Sequence, residues 1–333
     1  MKRFVLNCAV LFLFSVVAVQ AAPFAYIADA GFNGITVIDL ATRKRQARIP
    51  IPNEEPFYVA VTPDGKRAYV TDYGYEGGIW VIDTLTMQPV EPRISVDSGP
   101  GRTVISPDGK YAYTVYPTLN EVTSMPTATN SPTKITLGVN PCDVVFTPDS
   151  ARAYVVNRDA TVSVINTATN AVANTISIGT TNYYDCGGMA ITPDGSRLYV
   201  TRYDSDKVSI IDTASNTLVG SPITVGGRPA RIRVAPDNSR VYFLSADGAS
   251  LAVVSRTTNS LLLTIPIGVY PSEMTIKPDG SEIYVADSDD NAVWVIKTTD
   301  YSSSRLAGFC APYDITIGPI ATTDQLFADS LGC

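Results

Sequence analysis

The sequence predicts an all-β fold, a seven-bladed β-propeller of four-stranded antiparallel blades, and three observations predict it. A phrase built on Pro-Asp recurs six times: "TPDGKRAYVTD" from Thr62, "SPDGKYAYTVY" from Ser106, "TPDSARAYVVN" from Thr147, "TPDGSRLYVTR" from Thr192, "APDNSRVYFLS" from Ala235 and "KPDGSEIYVAD" from Lys277. Its prolines, Pro63, Pro107, Pro148, Pro193, Pro236 and Pro278, are spaced by 44, 41, 45, 43 and 42 residues. A fixed period in the low forties, with several short strands in each period, marks a propeller blade. Finally, the first and last repeats are incomplete in complementary ways.

Each element of the repeat has a physical reason. Pro suits the second position of a type I turn, and Asp and Gly suit the positions after it, so T-P-D-G reverses the chain between two strands. Before the turn stands an apolar run such as "YVAVT" (58–62) or "DVVFT" (143–147), and after it the Tyr strand, such as "RAYVTD". A polar loop leads to a third strand ("GIWVIDT", "TVSVINT", "KVSIIDT", "AVWVIKT"), and a short turn such as "ATN" leads to a fourth, such as "AVANTISIG". These runs are rich in Val, Ile, Thr and Tyr and bounded by Gly, Pro, Asn and Asp, which favours strand. Blade three departs from the pattern with "VTSMPTATN" (122–130).

The chain opens its repeats with "FAYIADAGFNGITVIDL" (24–40), a Tyr strand and third strand with no first strand, and ends them with "YDITIGPI" (313–320), a first strand with no Tyr strand. Tyr26, Tyr69, Tyr113, Tyr154, Tyr199, Tyr242 and Tyr284 mark seven Tyr strands. The C-terminal strand is therefore expected to join the N-terminal blade, leaving no unpaired edge at the seam. The expected organisation is a leader over 1–21, the propeller over 22–320 and a tail over 321–333.

Lys2 and Arg3 followed by the apolar run "FVLNCAVLFLFSVVAV" (4–19) and by Val19-Gln20-Ala21 read as a signal peptide cut before Ala22. No other stretch approaches a membrane-spanning length of apolar residues. A periplasmic, secreted or cell-surface protein is expected, acting as a monomer. Removing Lys2 and Arg3 leaves 23 basic residues against 32 acidic ones. That balance disfavours nucleic acid, because the basic residues are scattered apart from "RKRQAR" (43–48), which reads as a solvated hairpin edge. The mature chain keeps Cys142, Cys186, Cys310 and Cys333. Four cysteines in an oxidising compartment suggest two disulfides with three possible pairings. Cys142–Cys186 is expected because both precede adjacent first strands, and Cys310–Cys333 because it would hold the tail to the closure blade.

"AYVTD", "AYVVN" and "LYVTR", each after P-D-G or P-D-S and before V-x-V-I-D/N-T, resemble the YVTN-family β-propeller repeat over nearly the whole mature chain. That family includes periplasmic YncE-like proteins and archaeal surface-layer proteins. The resemblance implies an envelope propeller and brings single-stranded DNA binding in as a third reading. The motif consists of turn and core residues, so it specifies fold rather than function, and the seven tyrosines are read as a repeated packing position.

The chain contains no histidine. This removes the commonest general base, the commonest metal ligand and any Ser-His or Cys-His pair. No cofactor and no metal site are expected. The acidic loops "DSDDNAV" (287–293) and "RYDSDK" (202–207) carry oxygen ligands of the kind calcium takes but lack its full spacing, and they read as turns. Trp80 and Trp294 fall in third strands and read as packing.

The candidate site is the mouth of the central channel. Five residues before each turn proline stand Tyr58, Arg102, Asp143, Gly188, Arg231, Glu273 and Asp314, all polar or small, and the next position is mostly apolar. A ring of two arginines, three acids and a tyrosine around a concave opening suits a small ligand or a partner's side chain. The alternative for the ring is that its charges neutralise one another. Asp72, Tyr73, Arg202 and Tyr203, after the Tyr strands, are expected on the same face. The leading functional expectation is a non-enzymatic module that binds an envelope or extracellular protein or a small ligand, with charge reversal at Arg102 and Arg231 abolishing binding at little cost in stability. The alternative is a lactonase-like hydrolase using Glu, Asp and Arg at the mouth.

Overall fold

The structure is a computed structural model that describes residues 23–51, 55–72, 77–97, 99–138, 140–179, 187–202, 205–245, 247 and 249–319. The described strands form seven antiparallel sheets. Blade 1 is assembled from both ends of the chain: Phe24–Asp29, Gly34–Asp39 and Lys44–Pro50, with Pro312–Gly318 as its inner strand. Blades 2 to 7 follow in chain order, each running from an inner strand outward. In blade 5 the outer strand is split into Thr217–Leu218 and Ile223–Thr224, both paired to Lys207–Asp212. The inner strands touch their neighbours in sequence order, and that of blade 7, Pro271–Ile276, meets Pro312–Gly318 to close the ring. Blade three keeps the architecture despite its divergent sequence, with Glu121–Pro126 as its third strand. No α-helix occurs among the described residues, and none of their helical turns is long and apolar enough to cross a membrane.

The repeated residues are the joints of each blade. In the first turn, Thr62 Oγ1 donates to Asp64 Oδ1 at 2.6 Å, the Arg67 N–H donates back to Thr62 Oγ1 at 3.1 Å, and Gly65 takes φ +70°, a left-handed conformation suited to glycine. The Thr that closes the third strand ties it to that turn, even in blade three: Thr127 Oγ1 donates to Gly109 O at 2.6 Å and Thr167 Oγ1 to Ser150 O at 2.6 Å.

The tyrosines bolt one blade to the next. Every one of the seven is at most 2 % exposed. Tyr69, Tyr113 and Tyr154 donate their hydroxyls to Asn130, Asn170 and Asn216 at 2.9, 2.6 and 2.8 Å, and each Asn lies in the third-to-fourth-strand turn of the following blade. Those asparagines hold φ between +53° and +55°, which Asn tolerates and most residues do not. The "ATN" and "ASN" turns thus supply both the backbone geometry and the acceptor. Tyr154→Phe removes the bond to Asn216 and should cost about 1–2 kcal/mol, read as a lower urea midpoint at unchanged slope.

Candidate functional site at the central channel

Period-two alternation along each inner strand turns every second side chain toward the next blade, at the edge of the channel. A β-bulge sets the register: ladders shift between Pro56 and Tyr58, Pro141 and Asp143, Pro229 and Arg231, and Pro271 and Glu273, and where Pro312 and Asp314 meet blade 1. Bulges re-aim side chains, and here the residue beyond each bulge is the predicted ring residue. Gly188 is the exception that carries no side chain. A Cβ there would lie 2.8 Å from the Ala230 carbonyl oxygen, so its glycine lets blade 6 approach blade 5.

The structure brings the charged members together around Glu273. The Glu273 side chain is 2 % exposed and faces three guanidinium groups: Arg233 Nη2 at 2.9 Å, Arg231 Nε at 3.1 Å and Arg102 Nη1 at 3.4 Å. Arg102 also reaches Asp143 Oδ1 at 3.5 Å. Burial pushes the Glu273 carboxyl up, but Arg233, Arg102 and Arg231 outweigh it and hold it at about 2. Asp314 goes the other way. Its burial and the charge of Glu273 lift it to about 6 despite the pull of Arg102.

The two aspartates also staple blades together. Asp314 Oδ2 accepts the Val59 N–H of blade 2 at 2.8 Å, and Asp143 Oδ2 accepts the Met189 N–H of blade 5 at 2.9 Å. Their other oxygens accept the N–H groups of Ile315 and Val144, both at 2.9 Å. The cluster holds three arginines and three carboxylates, so much of its charge is balanced internally.

Arg233 was not among the predicted residues, although "RIR" (231–233) already showed it two residues past Arg231 and therefore on the same side of the strand. Also outside the expectation were Phe57 and Tyr313, one position before the ring, whose rings lie 4.7 Å apart. Tyr313 is 37 % and Tyr270 48 % exposed. Toward the Pro-Asp turns the ring opens into a cavity of about 300 Å³, walled by Val61, Ile105, Val145 and Ala190 and reached by Arg102, Arg233 and Asp314.

The predicted loop face is only partly seen. Asp72 is buried, with Arg93 3.8 Å away, and so belongs to the fold's interior rather than to an open surface. Arg202 ends its Tyr strand, packed where a Cβ on Gly179 would meet it. Tyr73 and Tyr203 lie outside the described residues, as do the leader, the tail, Cys186 and Cys333. The acidic loop over 287–293 is occupied by the protein itself. Asp287 accepts the N–H groups of Val269 and Tyr270 at 2.6 and 3.0 Å, and Asp290 is held by Arg305 Nε at 2.8 Å. Among the described residues no cluster of three or more metal-ligating side chains occurs.

No protein-family model and no curated protein matches the chain. Solved structures do match. A hydrazine synthase chain of Kuenenia stuttgartiensis aligns at 20 % identity and a TM-score of 0.72, over 87 % of this chain and 99 % of its own. A functionally unknown protein of Desulfotomaculum acetoxidans aligns at 18 % and 0.73, over 89 % and 99 %. A candidate 6-phosphogluconolactonase of Bacteroides uniformis aligns at 16 % and 0.75, over 90 % and 100 %. At these identities the likeness establishes the seven-bladed propeller and leaves the chemistry to the residues of the channel.

Proposed function

We propose that the chain is an exported, non-enzymatic binding module of the cell envelope, built from YVTN-type blades, that receives a protein or small ligand at the channel mouth. The observation that carries this reading is the commitment of the carboxylates. Glu273 is held ionised by three arginines, while Asp143 and Asp314 hold backbone N–H groups of neighbouring blades. One position before the ring residues Tyr58 and Asp314, Phe57 and the part-exposed Tyr313 pack their rings together as an aromatic lip, and Tyr and Arg are residue types enriched at binding hot spots. Nucleic acid is disfavoured because these arginines sit inside the channel against carboxylates rather than along a surface stripe. The disulfides Cys142–Cys186 and Cys310–Cys333 belong to the same proposal, and peptide mapping without reductant checks them.

Charge reversal of Arg102 and Arg231 is a poor test of the mouth, because it would crowd new carboxylates against Glu273 and damage the fold. The lip gives a cleaner one. Phe57→Ser/Tyr313→Ser should lose a partner that the wild type captures from envelope extract, with a melting temperature close to that of the wild type. A partner retained by this variant would place the site elsewhere. One feature favours the hydrolase alternative: burial and the charge of Glu273 push the Asp314 carboxyl up to about 6, where it can exchange protons near neutral pH. Turnover of a lactone panel by the wild type, lost in Asp314→Asn, would replace the binding reading with that one.

A further inference from the structure

The cavity on the turn side of the ring differs in chemistry from the mouth. Its lining mixes the apolar Val61, Ile105, Val145 and Ala190 with Arg102, Arg233, Asp314, Thr275 and Thr316. A volume of about 300 Å³ lies at the small end of the range for ligand pockets. Its valine, isoleucine and alanine side chains favour a compact apolar body. Its arginines favour an anion, and a guanidinium fork matches a planar carboxylate best. Arg233 spends one donor on Glu273 Oε1 at 2.9 Å and one on the Ile232 carbonyl at 2.8 Å, leaving other N–H groups of its fork for a ligand. We propose that this half of the channel is a binding site for a small monocarboxylate with a compact apolar body, its carboxylate held by Arg233 and Arg102 and its body against Val145 and Ala190.

Charge decides when such a ligand enters. Asp314 is faced by Glu273 from blade 7, Arg102 from blade 3, Arg233 from blade 6 and Tyr58 from blade 2, while Arg231 and Asp143 complete the cluster through Glu273 and Arg102. With three arginines and three ionised carboxylates, a further anion is one negative charge too many. Protonating Asp314 removes that excess. Uptake is therefore linked to a proton, and affinity rises as the pH falls through about 6.

Calorimetric titration of the purified protein with benzoate, phenylacetate and hexanoate tests the site, with benzamide as the uncharged control and acetate as the control without a body. At least one of the three carboxylates should bind at pH 5, and at least tenfold more weakly at pH 8. Benzamide and acetate should bind at least tenfold more weakly than that ligand at pH 5. Val145→Trp should abolish binding by filling the cavity, and Ala190→Leu, a milder filling that keeps the fold if Val145→Trp does not, should weaken it at least tenfold. The lip variant Phe57→Ser/Tyr313→Ser should leave this binding unchanged, which separates the site from the mouth. Absence of binding by all three carboxylates at pH 5, or binding that Ala190→Leu leaves intact, overturns the proposal.

Discussion

Glu273→Gln should lower the unfolding free energy by about 3–5 kcal/mol, the range for removing one partner from a buried ion pair. The substitution keeps the size of the side chain and an oxygen for the Met274 N–H, which Glu273 Oε1 now accepts at 2.9 Å. What it removes is the charge that three guanidinium groups share at 2.9, 3.1 and 3.4 Å. The cost arises mainly from the arginines left behind in a poorly solvated channel. Glu273→Gln/Arg233→Gln should therefore recover part of the loss, and a double-mutant cycle reads that coupling directly.

The pH dependence gives a second readout with a defined sign. The Glu273 carboxyl is depressed to about 2, so its contribution is complete above its ordinary range near 4.5 and is lost as the pH falls from there toward 2. Asp314 is raised to about 6, so the folded state holds its proton more tightly than the unfolded chain does. Its contribution is complete below about 4 and is lost as the pH climbs through 6. The wild type should accordingly be most stable between these limbs. In Glu273→Gln the nearest negative charge beside Asp314 is gone while the arginines remain, so the limb between pH 4 and 6 should shrink. Urea midpoints across pH 3 to 8 for both proteins check this, and identical profiles would show that Glu273 is not the charge that governs the ring.

The sequence made most of the frame legible because each repeated residue performs a local task. Thr62, Asp64 and Gly65 close a turn among themselves, and the period-two pattern around each Tyr fixes which side chains are buried. The ring position was legible for the same reason: it stands at a constant distance from the turn proline. Arg233 escaped because only one position per inner strand was counted, although alternation places the residue two further on along the same channel. Phe57 and Tyr313 escaped because a bulge, which shifts the register by one residue, is invisible in a regular strand pattern. Asp72 illustrates the opposite error. An Asp at a strand end reads as an exposed loop residue, yet it is 1 % exposed. Whether such a carboxylate meets water or a neighbour depends on how closely blades approach, which a single repeat does not encode. The stapling of Val59 by Asp314 joins residues 255 apart in sequence and has no local signature at all.

A chain ending at Ala311 should fail to form the propeller, and Ile315→Ala, the point version of the same lesion, should cost about 2–5 kcal/mol. Pro312–Gly318 pairs along the whole of Phe24–Asp29 and supplies the inner strand of blade 1. Ile315 is 1 % exposed and packs with Ala25, Ile27, Tyr284 and Ala286, so it belongs at once to blade 1 and to the interface with blade 7. Without this strand Phe24–Asp29 presents a row of unpaired N–H and C=O groups to the channel, and an exposed strand edge invites aggregation. Val59 N loses the Asp314 carboxylate, and Glu273 loses a neighbour that shares its arginines. Closing the ring joins the two ends of the repeat region, but loop entropy grows only logarithmically with length, so the seam costs little more than a short closure while burying a full interface. The truncated chain should elute as aggregate or expanded monomer in size exclusion and lack a cooperative thermal transition. A peptide spanning residues 308–319, added in trans, should restore part of that transition, whereas the same peptide carrying Ile315→Asp should not. A truncated chain that unfolds cooperatively at the full-length midpoint would mean that six blades and an open seventh suffice, and that the shared strand is not what holds this ring shut.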